Sequence, residues 1–162
     1  MYRRKGEHYE VLLVHPGGPF WTHKDAASWF IPKGEIEPGE DYLTAAKREF
    51  QEETAIEPRG AFLSLGAVKH RSGKIVEAWA FEGDCDPTAI KSNTFALEWP
   101  PHSGKQEQFP EIDRAAFFSF DEAKAKIYPA EYELLNRLQE QLGLRQAPTS
   151  STHEPAQRKL FE

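Results

Sequence analysis

The chain has 162 residues, 39% of them apolar and 28% charged, with a formal net charge of −6. That length predicts one domain rather than two, and 11 Phe, 5 Tyr and 4 Trp supply a core, which excludes a disordered chain. The acidic balance argues against a nucleic-acid backbone as the main partner, and no apolar run approaches the roughly 20 residues of a membrane span. The single Cys85 excludes an internal disulfide framework and a Cys-rich zinc site, and it suits a reducing, cytoplasmic setting. The opening MYRRKGEHYE lacks the apolar stretch of a signal peptide.

Residues 9–15 read as a strand, because Val11, Leu12, Leu13 and Val14 form a continuous apolar run of the kind buried on both faces. The run stops at Pro16-Gly17-Gly18-Pro19, and residues 20–28 form a loop carrying Trp21, His23, Lys24 and Asp25. Trp29-Phe30-Ile31 is a second short apolar piece, followed by a loop over 33–39. Residues 41–54 are the clearest helix of the first half, with Leu43, Ala46 and Phe50 on one stripe. A hairpin over 62–70 and 74–81 turns at Arg71-Ser72-Gly73, and further strands fall at 93–99 and 114–120. Ser119 and Glu122 are spaced as a capping box, and Leu134, Leu135, Leu138 and Leu142 mark a final helix that Gly143 stops. From Arg145 onward apolar residues thin out, so residues 145–162 are expected to form a mobile tail to a domain spanning 1–144. Strands, a helix, more strands and then helices predict an α/β (α+β) fold with a mixed sheet covered by helices.

The first helix concentrates negative charge. Relative to Glu49, Glu52 lies about 60° one way and Glu53 about 40° the other, so three carboxylates leave one face beside the apolar stripe. Like charges at these spacings each cost an isolated helix roughly 0.2–0.5 kcal/mol, and only Glu52 has a basic residue four positions before it, Arg48. A hard divalent cation reverses the sign of that cost, since Mg²⁺ takes oxygen ligands and needs few carboxylates beside substrate phosphates. A solvated acidic face is the competing explanation, and the helix alone does not choose between them.

The surrounding residues add a pattern. Gly34, five residues, Glu40, seven residues, then Arg48-Glu49-Phe50-Gln51-Glu52-Glu53-Thr54-Ala55-Ile56 resembles the Nudix box, with one departure: Ala55 stands where the family has Gly. The resemblance implies a Nudix-type α/β/α sandwich around a central mixed β-sheet over residues 1 to about 143. It also implies a full strand ahead of residue 9, where only Met1 to Lys5 remain. Gly at position 55 would let the chain leave the helix through a left-handed turn. Ala55 therefore bears on loop geometry and removes no ligand.

Nudix proteins hydrolyse a nucleoside diphosphate linked to another moiety with Mg²⁺ or Mn²⁺. The resemblance implies that Glu49 and Glu53 bind the metal, that Glu52 is a further ligand or orients the attacking water, and that the Gly34 carbonyl contributes. Glu40 and Arg48 are implied to support the loop–helix geometry through an ion pair. Glu111, six residues before Phe117, stands at an offset where many Nudix enzymes place an extra ligand or base, with Glu107 and Glu98 as competitors. Metal-activated water needs no Ser or Cys nucleophile, and Cys85 sits among acids that disfavour a thiolate.

Pro32-Lys33-Gly34 resembles family members acting on dinucleoside polyphosphates or diphosphoinositol polyphosphates, and Lys33 can meet a further phosphate. Trp21 is a candidate for stacking on a base and Lys24 for phosphate, against the alternative that Trp21 plugs its loop onto the sheet. The expected activity is a Mg²⁺-dependent pyrophosphohydrolase acting on a small-molecule nucleotide, a dinucleoside polyphosphate or NTP first. ADP-ribose and diphosphoinositol polyphosphates are alternatives, as is a non-catalytic nucleotide-sensing module. No membrane partner is expected, nucleic acid is disfavoured, and the chain is expected to be a monomer or homodimer.

Overall fold

The computed structural model describes residues 1–144, so the expectation of a mobile tail at 145–162 lies outside the described residues. The buried run of the first half is strand β2 (His8–Pro16), and Val11, Leu12, Leu13 and Val14 are all at most 4% exposed. Val11 and Leu13 face the larger core cluster with Trp29, Leu134 and Leu138, whereas Leu12 faces a second cluster with Phe50 and Phe81. Each such side chain contributes roughly 1.5–3 kcal/mol by leaving water, which makes β2 the keel of the fold.

β2 is flanked by β1 (Tyr2–Lys5) and β7 (Ile112–Ser119), both antiparallel to it, with Tyr2 opposite Val11 and Leu12 opposite Phe117. Two hairpins complete the strands. One is β3 (Phe62–Lys69) with β4 (Ile75–Phe81), and the other is β5 (Thr94–Glu98) with β6 (Gln106–Pro110). The mixed character rests on single parallel bridges, Tyr2 with Glu82 and Trp29 with Ile127, so the strands form three antiparallel pieces rather than one continuous ladder. Trp29-Phe30-Ile31 is likewise held by bridges, Phe30 exchanging two hydrogen bonds with Val14.

Helix α1 (Tyr42–Thr54) is capped by Asp41, whose side chain accepts the Thr44 N–H at 3.0 Å. It ends at Ala55 in the left-handed conformation, φ 60° and ψ 18°, with the Ala55 N–H on the Gln51 carbonyl. Helix α2 (Phe120–Lys126) begins with the capping box expected from Ser119 and Glu122, both halves of which form. Helix α3 (Tyr132–Gln141) packs Leu134, Leu135 and Leu138 into the main core. Among the described residues, no helix is long and apolar enough to cross a membrane.

Between α1 and strands β2 and β4 lies an apolar cavity of about 540 Å³. Leu12, Leu43, Ala46, Phe50, Ala78 and Trp79 line it, and it reaches Gly34 and Glu49. Two strands, β1 and β6, are absent from the sequence reading. Their sequences, YRRK and QEQFP, carry no apolar alternation, and pairing with a neighbour makes them strands, with Tyr2 of β1 also reaching the core.

Candidate active site

Arg48 organises the loop that precedes α1. Its guanidinium grips Glu40 through both oxygens, Nε to Oε1 at 3.0 Å and Nη2 to Oε2 at 2.9 Å. The same side chain donates to the Glu35 carbonyl at 2.9 Å, to Glu49 Oε1 at 2.9 Å and to Glu52 Oε2 at 3.3 Å. A planar five-donor fork suits this task, and a lysine could not span it. Glu40 also accepts the Glu37 N–H at 3.1 Å, so the loop folds around one ion pair. That pairing with Arg48 holds the Glu40 carboxyl below the usual carboxylate range.

Glu49 turns back onto the loop, accepting the Glu35 N–H at 3.0 Å, and its carboxylate fills the space where a Cβ of Gly34 would stand. Glu53 accepts the Lys33 N–H at 2.8 Å. Burial pushes the Glu53 carboxyl up to about 7, the Lys33 N–H and ammonium oppose the rise, and the charges of Glu49 and Glu111 add to it. The groove therefore brings Glu49, Glu53 and Glu111 within electrostatic reach of one another. Glu52 is more exposed, at 46% of its side chain, and Arg48 holds it.

Glu111 sits at the junction of β6 and β7. Its N–H donates to the Asn93 carbonyl, and its own carbonyl accepts the Gly17 N–H at 3.0 Å. Gly17 has no room for a side chain against the Pro110 carbonyl, so the loop after β2 is pressed onto the Glu111 backbone. Of its two competitors, Glu98 spends its carboxylate on the Gly104 N–H at 2.8 Å, and Glu107 lies on β6 opposite Leu97. Trp21 packs edge-on against Phe30, ring centroids 5.6 Å apart, and carries the Lys24 ammonium 4.5 Å above its own ring. The plug alternative describes this placement better than a free stacking platform. Lys33 Nζ lies 4.1 Å over the Phe30 ring and 3.3 Å from Glu131 Oε1.

Three polar residues, Glu131, His15 and the half-buried His70, sit inward of the groove. Glu131 and His15 are fully buried, and His70 Nε2 approaches Glu131 Oε1 to 3.2 Å. His15 is tied at both ring nitrogens, to Asp113 Oδ1 at 2.7 Å and to the Lys24 carbonyl at 2.9 Å. No local pattern announces such residues, because their partners lie 9 to 100 positions away in the chain.

The donors Glu49, Glu53, Glu52, Glu111 and the Gly34 carbonyl are all oxygens, the set a hard divalent cation prefers. A cation would offset both the burial that chiefly lifts Glu53 and the repulsion from Glu49 and Glu111 that adds to it, so the residues fit it in chemistry. Among the described residues, however, no three His, Cys, Asp or Glu side chains converge closely enough to hold an ion as they stand. The reason is visible. Glu49 and Glu52 lean on Arg48, and Glu53 leans on the Lys33 amide.

A family model described as the NUDIX domain matches residues 1–138. The chain belongs to the Nudix family. An RNA pyrophosphohydrolase of Caulobacter vibrioides is 41% identical to it over 51 residues, which is 28% of this chain and 30% of that protein. The chain thus spans under a third of the length of the curated relative it matches. Among solved structures, the NUDIX domain of Shewanella oneidensis NrtR complexed with ADP ribose superimposes with a TM-score of 0.58. The identity there is 15%, over 87% of this chain and 82% of that one. The solution structure of the E. coli ORF135 protein gives 0.52 at 21% identity, over 90% and 89%. At these identities the two show the shared Nudix fold. Membership of the Nudix family supports the expectation of a hydrolase acting on pyrophosphate bonds.

Proposed function

We propose that this Nudix chain is a pyrophosphohydrolase that cleaves a phosphoanhydride bond in a nucleoside polyphosphate, with Mg²⁺ as cofactor and Mn²⁺ as its substitute. The observation that carries this reading is the environment of Glu53. It is a half-buried carboxyl, raised to about 7 and fixed by a loop amide, with Glu49 and Glu111 bearing on it. A structural acid has no reason to be kept beside two others, and such clustering is the mark of a functional site.

In this reading Glu49 and Glu53 hold the cation, with Glu52, Glu111 and the Gly34 carbonyl available as further ligands. A divalent cation supplies charge neutralisation at the anhydride and lowers the pKa of water. The chain does the rest. Arg48 aims Glu49 and ties the loop to Glu40, so the acidic face keeps its position as substrate enters. Lys33 offers an ammonium at the groove edge for a further phosphate. Glu111, exposed at the junction of β6 and β7, serves in this reading as the acceptor of a proton from the attacking water. Cys85 takes no part, since burial and Asp84 push its thiol up, away from the thiolate.

Dinucleoside polyphosphates and nucleoside triphosphates head the substrate order because Lys33 provides for a phosphate beyond two. ADP-ribose and diphosphoinositol polyphosphates follow. The name of the Caulobacter relative, an RNA pyrophosphohydrolase, adds RNA as a further candidate. The test is release of phosphate or nucleotide across that panel with Mg²⁺, comparing wild type with Glu53→Gln. Turnover confined to wild type is expected; binding without turnover in either protein would instead mark a nucleotide-sensing module.

A further inference from the structure

Glu131 precedes α3 from a fully buried position, an expensive place for a carboxylate unless cations offset the lost hydration. Its Oε2 accepts the Ile31 N–H at 2.9 Å. Its Oε1 lies 3.3 Å from Lys33 Nζ and 3.2 Å from His70 Nε2, yet neither approach is aligned as a hydrogen bond. Both Glu131 Oε1 and His70 Nε2 are left without one. One oxygen thus stands between two nitrogen partners and is committed to neither.

Lys33 faces two ways. Its main-chain N–H is on Glu53, in the acidic groove, while its ammonium rests on Glu131 and the Phe30 ring. Because its main chain is anchored 2.8 Å from the Glu53 carboxylate, the flexible side chain can swing its ammonium into the groove toward a stronger anion.

We propose that Glu131 is a positioning residue that latches Lys33 and thereby sets which polyphosphates bind tightly. In the free protein the carboxylate keeps the ammonium against the Phe30 ring. A phosphate beyond the two at the acidic face draws Lys33 away, and His70 Nε2–H then turns onto the vacated Oε1. The latch rests on the proposed use of that face for a diphosphate. A ligand long enough to reach Lys33 binds with an affinity reduced by the small fraction of time the ammonium is free, whereas a shorter ligand is indifferent to the latch.

The test is calorimetric binding, in Mg²⁺, of two non-hydrolysable probes, imidodiphosphate and diimidotriphosphate. Wild type, Glu131→Gln, Lys33→Ala and the double variant are compared. Glu131→Gln keeps an oxygen for the Ile31 N–H but loses the charge. It should bind the triphosphate analogue about tenfold more tightly and the diphosphate analogue within about twofold of wild type. Lys33→Ala should erase the preference for the longer probe, and Glu131→Gln should add nothing in that background. Acylation of the Lys33 amine, followed by mass spectrometry, should quicken several-fold in Glu131→Gln. If that variant fails to fold, Glu131→Asp, with its shorter reach, should shift all readouts in the same direction. Unchanged or weaker triphosphate binding, a gain that survives in the double variant, or no binding of either probe by wild type overturns the latch. The expected binding pattern without turnover of any anhydride overturns the enzymatic reading alone.

Discussion

Gly34 and Glu49 share one volume: a Cβ on residue 34 would overlap the Glu49 carboxylate outright. The glycine that opens the box is therefore demanded by space rather than by an unusual backbone angle. What needs the space is a candidate metal ligand, held there by the Glu35 amide and by Arg48.

Gly34→Ala should accordingly disturb chemistry more than folding. The obstructing atoms are the far end of a flexible side chain, so Glu49 can swing aside while the loop stays. The expected change in stability is within about 1 kcal/mol, while Mn²⁺ affinity falls about tenfold or more. Thermal melting and Mn²⁺ titration of one preparation check both halves; a collapsed melting temperature with intact Mn²⁺ binding would reverse the assignment.

The raised Glu53 carboxyl makes metal-free stability depend on pH. The folded chain holds this proton up to about 7, whereas the unfolded chain releases it near the ordinary 4.5. Its stabilising contribution is complete below about 4.5 and lost as pH rises through about 7. The difference is on the order of 2 kcal/mol after allowing for partial exposure. In EDTA, Glu53→Gln should thus melt close to wild type at pH 4.5 and above it at pH 8. Added Mg²⁺, which binds the ionised form, should favour wild type increasingly as pH approaches 7. A difference between the two proteins that does not move with pH would refute the assignment.

Ala55 pays for its place at the end of α1, with φ 60° in a region that costs an L-residue roughly 1–2 kcal/mol. The residue is exposed, so a smaller one leaves no void. Ala55→Gly should raise stability by about 0.5–1 kcal/mol once the greater freedom of an unfolded glycine is subtracted. Chemical denaturation measures it, and a lower midpoint would mean that this turn is held by something other than its backbone angles.

His15 fastens the loop after β2. Its Nδ1 lies 2.7 Å from Asp113 Oδ1 on β7 and its Nε2 2.9 Å from the Lys24 carbonyl, so one buried ring ties the loop to the sheet. Arg114 also donates to the Lys24 carbonyl, at 3.2 Å. His15→Leu should cost about 2–4 kcal/mol and expose residues 17–25 to proteolysis. Equal cleavage rates in variant and wild type would place the hold on the loop elsewhere.

The parts of the molecule legible from its sequence are those governed by near neighbours. The double-sided burial of Val11 to Val14, the helix with Glu49 and Glu53 on one face, and the Ser119 capping box each follow from spacing over a few residues. The grip of Arg48 on Glu40 followed from the family pattern. Glu131 was invisible because its partners, Ile31, Lys33 and His70, are brought to it only by the packing of α3 against the rest of the chain. β6 was invisible for a related reason: QEQFP becomes a strand only in company with β5. Among the acids near the late strand, three-dimensional placement separated Glu111 from Glu98 where spacing had not.

The void between α1 and the strands carries a mechanical consequence. A hollow of this size is packing volume the folded chain forgoes, and part of that volume is recovered when the chain opens. Compression should therefore unfold this protein at moderate hydrostatic load, with Trp79 on the cavity wall as a built-in fluorescent gauge. Ala46→Leu, which plugs part of the space, should stiffen the molecule and move the transition to higher load.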